Sequence, residues 1–148
     1  MTSALAKSVY TFNLPAFMAG KPRILFCHCN YAQVVPPEVK EGVLQKLCES
    51  GRAFEAVSDL CEMSARRDPA LKRFADGDRP VKVAACYPRA VKWLFGAADA
   101  PLQATQTEVV NMRELSTGNA AEALLNDAVT PNLPEDGAPA TVNGEKKI

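Results

Sequence analysis

The chain has 148 residues, 47 % of them apolar and 23 % charged, a globular composition large enough for one domain with its own core. Lys plus Arg equals Asp plus Glu at 17 each, so no basic excess is available to neutralise a phosphate backbone, and nucleic acid is not expected as a partner. No apolar run approaches the roughly 18–20 residues that span a bilayer.

The first residues, read as an N-terminal extension over 1–21, show no clear period. Leu14 to Ala19 is apolar but short and contains Pro15, and Lys7 is the only cation before Lys21, so a secretory leader is not expected. The chain is therefore expected in the cytoplasm, where disulfides are rare, and its five cysteines need another explanation.

Four segments then share one layout, a short apolar run followed by a helical stretch. The first run is Arg23-Ile24-Leu25-Phe26. From Pro37 onward Val39, Val43, Leu44 and Leu47 recur at helical spacing, and Gly51 reads as the helix stop. The second run is Phe54 to Val57. Asp68-Pro69 then opens a turn into a short amphipathic helix with Ala70, Leu71, Phe74 and Ala75, and Gly77-Asp78 closes that unit. The third run is Val81 to Ala85, with Pro88 in the first turn of a helix carrying Val91, Trp93, Leu94 and Phe95. The fourth is Thr107 to Met112, with a helix from about Asn119 to Ala128.

Run starts at Ile24, Phe54, Val81 and Thr107 lie 30, 27 and 26 residues apart, the length of a strand plus crossover helix. The expected fold is one α/β domain over residues 22–129. A mostly parallel sheet of about four strands carries helices on both faces, in the Rossmann or flavodoxin-like manner. Residues 130–148 are rich in Pro and Gly and read as a disordered tail.

The cysteines are Cys27, Cys29, Cys48, Cys61 and Cys86. Cys27 and Cys29 follow the first run, Cys61 comes just past the second and Cys86 just past the third. Ligands in open α/β sheets bind beyond the carboxyl ends of the strands, and neighbouring strands lie about 4.8 Å apart. Four thiolates can then surround one centre, and helices starting at that edge favour thiolate over thiol. Those are the conditions for soft, multi-thiolate metal ligation. The competing role is that of a small buried apolar filler, which is the reading of Cys48 on its stripe with Val43, Leu44 and Leu47. No CxxC pair occurs, so neither zinc-ribbon nor ferredoxin spacing is present.

His28 lies between two candidate ligands. On an extended chain it points away from them, which places it beside the ligands or in the core rather than on a metal. Arg89, at a helix start, can donate hydrogen bonds to an anionic centre or partner, or simply be solvated. Arg66, Arg67, Lys72 and Arg73 form a basic face, ordinarily just solvated but able to dock an acidic redox partner. Trp93, Leu94 and Phe95 are expected in the core.

Phe26-Cys27-His28-Cys29, then Cys61, then Val83-Ala84-Ala85-Cys86-Tyr87-Pro88-Arg89 resemble, in order and spacing, the N-terminal domain of the A subunit of heterodisulfide reductase. The likeness covers about residues 22 to 115. It implies that Cys27, Cys29, Cys61 and Cys86 ligate an iron–sulfur cluster, as their counterparts do in a family whose cluster sits beside a flavin domain. The sequence departs from the family at Asn30, where glycine is usual, at Glu62-Met63-Ser64-Ala65, where Ser-x-x-Gly is usual, and at Tyr87, where serine is usual. Residues 1–148 hold no counterpart of the flavin domain, so flavin chemistry is not implied.

The resulting expectation is one-electron transfer through a [4Fe–4S] cluster held by about four thiolates. The chain would serve as a subunit beside a flavoprotein or other iron–sulfur subunits rather than as an enzyme alone. Two other readings stand. Cys27 and Cys29 form a readily reduced disulfide in a sulfur-handling protein, with Cys61 or Cys86 as resolving thiol. Alternatively, the chain is a structural or docking subunit that binds zinc, binds nothing, or has lost the cluster.

Overall fold

The computed structural model describes residues 21–31, 33–76 and 79–135. The remaining N-terminal extension, the Gly77-Asp78 turn and residues 136–148 of the expected tail lie outside the described residues.

Strand β1 (Arg23–Cys27) buries its last four residues, as a continuous apolar run in a parallel sheet should. It pairs in parallel with β2 (Glu55–Val57) on one side and β3 (Val81–Ala85) on the other, and β4 (Thr107–Asn111) adds to β3. The order is β2-β1-β3-β4, all parallel, which makes this an α/β fold. Leu25 stands level with Glu55 on one flank and with Val83 on the other, so the carboxyl ends of the three strands reach one edge together.

The helices follow from their end signals. Helix α1 (Pro37–Ser50) starts with Pro37 in its first turn and stops at Gly51, whose φ of 78° is the left-handed cap that glycine takes without strain. Helix α2 (Leu60–Ala65) is capped by Asp59, and α3 (Ala70–Ala75) follows after a four-residue break that ends in Asp68 and Pro69. Helix α4 (Pro88–Ala97) again opens on proline, and α5 (Thr117–Leu125) is capped by the Ser116 hydroxyl. Helix α1 packs against α5, and α2 against α4. The first approach is close: a Cβ added at Gly42 would stand 2.6 Å from Thr117 Cγ2.

From β1 the chain winds outward to β2. It then crosses to the other flank of β1 as β3 and winds away to β4. Right-handed crossovers running in opposite directions place their helices on opposite faces. The reversal leaves a switch point between the carboxyl ends of β1 and β3, the usual ligand position in such sheets.

Several local expectations are corrected. Strand β2 is an exposed three-residue edge, and Phe54 lies before it. Cys27 ends β1 rather than following it. The helix α2 lies between β2 and α3, where none was expected. Helix α5 begins two residues before Asn119. Trp93 is 70 % exposed, because Val91, Leu94 and Phe95 form the inward side of α4 and Trp93 is turned away from it. Cys48 is exposed, since it follows the inward pair Val43 and Leu47 by one residue and is rotated off their stripe.

Residues 130–135 are not a disordered tail. They lie along the open edge of β4. The Asn132 side chain accepts the Val109 N–H at 2.8 Å and donates to the Val109 carbonyl at 2.9 Å. The Thr130 N–H reaches Glu108 at 3.0 Å, and Lys92 Nζ holds the Pro134 carbonyl at 2.6 Å. Polar groups that an edge strand would otherwise leave open are thereby satisfied.

A buried lysine joins sheet to helix. Lys82, 1 % exposed, sends Nζ to the carbonyls of Ala123 and Asn126, both at 2.6 Å, and lies 3.4 Å from Glu108. Its charge thus sits on the carbonyl end of α5, where the helix dipole favours a cation.

Candidate thiol site

Cys27, Cys29, Cys61 and Cys86 line one small pocket at the switch-point edge, with Val34, Leu60 and Leu94 among its other walls. Each arrives by a different local device.

Cys27 is placed by the β1 ladder, level with Val57, and its sulfur accepts the Leu60 N–H at 3.4 Å. Pairing then continues past the strand, with His28 N–H to Val57 at 2.8 Å and Asn30 N–H to Ser58 at 2.9 Å. Cys29 takes φ of 56°, a left-handed conformation unusual for a residue with a side chain. It costs on the order of 1 kcal/mol and persists where the surroundings enforce it. Here the following loop folds back on Cys29: the Gln33 N–H meets its carbonyl at 2.9 Å, and the Val34 N–H meets its sulfur at 3.2 Å.

Cys61 enters in the first turn of α2, and Cys86 directly follows β3. Cys27 and Cys29 are buried, Cys86 is half-buried and Cys61 is exposed, so the set runs from the core to the surface. Backbone N–H groups directed at sulfur stabilise anionic sulfur, in a thiolate or in a metal centre.

Burial favours the neutral thiol at Cys27, Cys61 and Cys86. Burial pushes Cys27 up to about 11, against the opposing N–H groups of Leu60 and Cys29. Burial also raises Cys61, with Asp59, Cys86 and Cys29 adding to it. Cys86 is raised by burial, and the Tyr87 N–H works against the rise. Cys61, Cys86 and Cys29 stand near enough for a charge on one to disfavour a charge on another.

The space between them is about 20 Å³, room for about one water. Among the described residues, no three His, Cys, Asp or Glu side chains are grouped so as to hold one metal ion. The thiols therefore surround a common space without converging on one point. Four soft donors, with N–H groups on the sulfurs of Cys27 and Cys29, suit an iron–sulfur cluster in number and chemistry. The space as it stands is too small for such a cluster; of its wall, Val34 and Cys61 are the exposed residues.

The other expected site residues stand elsewhere. His28 does not line the pocket; its ring packs edge-on against Phe26 with centroids 5.2 Å apart, and Lys40 Nζ holds its carbonyl at 2.8 Å. Arg89 lies on the outer side of α4 in a groove with Trp93 and Glu135. The basic face is largely neutralised: Arg66 pairs with Glu62 and Asp68, Arg67 with Asp99, and Arg73 with Glu55.

Asp59 was missed by sequence reasoning. It is 1 % exposed, and its two oxygens accept the N–H groups of Glu62 at 3.0 Å and Tyr31 at 2.8 Å. The signal was present: Asp59 followed three residues later by Glu62 is a helix-start pattern.

No family model, curated protein or solved structure matches this chain. Among the described residues no helix is long and apolar enough to cross a membrane.

Proposed function

We propose that the chain is an electron-transfer module. In this reading Cys27, Cys29, Cys61 and Cys86 hold a [4Fe–4S] cluster, inside an oxidoreductase complex of the heterodisulfide-reductase kind. The observation that carries the reading is the meeting of four thiols, drawn from the ends of three adjacent parallel strands, around one pocket. Its partners are flavoprotein or iron–sulfur subunits, and its setting is the cytoplasm.

When bound, the cluster supplies reversible one-electron transfer. The protein's own part is to hold the sulfurs and tune them. The N–H groups of Leu60 and Val34 meet the sulfurs of Cys27 and Cys29 and favour the more negatively charged state of the site. The apolar wall of Leu60 and Leu94 limits water on the inner side.

The direction of the thiol shifts weighs against a thiol–disulfide catalyst. Such a catalyst needs an accessible thiolate of lowered pKa, whereas burial raises Cys27, Cys61 and Cys86. The test is spectroscopic. Anaerobic reconstitution with iron and sulfide is expected to give a brown protein whose visible absorption bleaches with dithionite. A protein that stays colourless rejects the proposal.

A further inference from the structure

Helix α4 and the chain at Leu133, Pro134 and Glu135 line a groove of about 720 Å³. The helix supplies Trp93, Gly96 and Ala97 to it. The Lys92 ammonium holds the Pro134 carbonyl at 2.6 Å, so the chain is already tied to α4 where it reaches the groove. Trp93, the only tryptophan of the protein, is 70 % exposed. Gly96, three residues further along the same helix, also faces open space, since a Cβ added to it would meet no atom within 4 Å. A glycine inside a helix weakens it relative to alanine. Here it leaves the groove wall low beside the indole.

Thirteen residues, 136–148, follow Glu135 in the sequence. The ten residues of α4 span about 15 Å, and an extended chain covers that length in about five residues. Ala138, Pro139, Ala140 and Val142 are compact and apolar, and Asp136 precedes them. The groove offers the matching features: the Trp93 ring and a low wall at Gly96 and Ala97, with the cations Arg89 and Lys92 on the same helix. Extended proline-containing segments suit aromatic-lined grooves, because their backbone is already ordered before docking. We infer that residues 136–148 of this chain seat in the groove, with the stretch from Ala138 to Val142 against Trp93 and Gly96 and with Asp136 toward Arg89 and Lys92. The segment is joined to the groove at Glu135, so docking is intramolecular. Its effective concentration is on the order of millimolar, and a fit too weak to hold a free peptide still fills the groove. The groove shares no lining residue with the cysteine pocket, and its occupancy is independent of any cluster there.

Because Trp93 is the sole tryptophan, its fluorescence in the full chain reads the groove directly. The test is acrylamide quenching of that emission in the wild type, in Val142→Asp and in Gly96→Asp. The two substitutions place a carboxylate in the same contact, one from the segment and one from the helix. Each is expected to raise the quenching constant about twofold and to move the emission to longer wavelength, because a charge resists the desolvation that docking requires. Quenching at the wild-type level in both variants overturns the proposal. So does a wild-type Trp93 that is quenched as readily as in the urea-unfolded chain. Shielding that fades on dilution assigns the groove to a second copy of the chain and overturns the segment as its occupant.

Discussion

The carboxylate of Asp59 holds the Tyr31 N–H at 2.8 Å with one oxygen and caps α2 at the Glu62 N–H with the other. One buried side chain thereby joins the loop that carries Cys29 to the helix that carries Cys61. Asp59→Ala is expected to cost about 1–2 kcal/mol, the loss of a helix cap plus an unsatisfied N–H. Urea unfolding measures this. Alkylation of buried Cys29 should also quicken in Asp59→Ala, and an unchanged alkylation rate would contradict the joining role. Asp59→Asn, which keeps one oxygen, should retain part of the stability.

Lys82 is the second buried polar anchor. Removing it leaves Glu108 with the Thr130 N–H but without its cation, and takes the cation from the end of α5. Lys82→Met is expected to destabilise by about 3–5 kcal/mol. The double variant Lys82→Met/Glu108→Leu should recover part of that loss, because it removes both charges. Additive losses in the double-mutant cycle would show that the pair does not act as a unit.

Alkali should weaken the metal-free chain. Cys27 titrates at about 11 when folded against 9.0 as an ordinary thiol. Below 9.0 both states hold the proton and stability is intact. As pH rises from 9.0 toward 11 the unfolded thiol ionises first, and stability falls by about 2–3 kcal/mol before levelling off. Urea midpoints across this range for wild type and Cys27→Ala check it; the variant should lose less. An equal fall in both would remove Cys27 as the cause.

Exposure predicts the order of thiol modification. In the metal-free chain Cys48 and Cys61 are exposed, while Cys27 and Cys29 are buried. Iodoacetamide followed by mass spectrometry should label the exposed pair first and Cys27 last. Prior reconstitution should protect Cys61 and leave Cys48 labelled as before. Protection of Cys48 alone would contradict the ligand set.

The sheet was legible because β1, β3 and β4 are apolar runs at a constant spacing, each bounded by proline or glycine signals such as Pro37, Gly51 and Pro88. The gathering of four cysteines followed from that same spacing, since each lies just at or beyond a strand end. Other features were not legible. The side chain of Trp93 faces solvent because helical phase, not hydrophobicity, decides which side of α4 is buried. Cys48 differs from Leu47 by one residue and hence by about 100° of helix. Residues 130–135 look disordered by composition, yet Asn132 supplies the two hydrogen bonds that a bare β4 edge lacks. The Cys29 loop depends on a left-handed backbone that nothing in the residue type announces.

The most direct test of the central claim is the iron and acid-labile sulfide content of the anaerobically reconstituted chain, measured beside Cys61→Ala, Cys86→Ala and Cys48→Ala. The account predicts about four irons and four sulfides per chain in wild type and Cys48→Ala, and loss of most of both in the other two variants. Iron-free wild type, or equal loading in Cys61→Ala and Cys86→Ala, would contradict it.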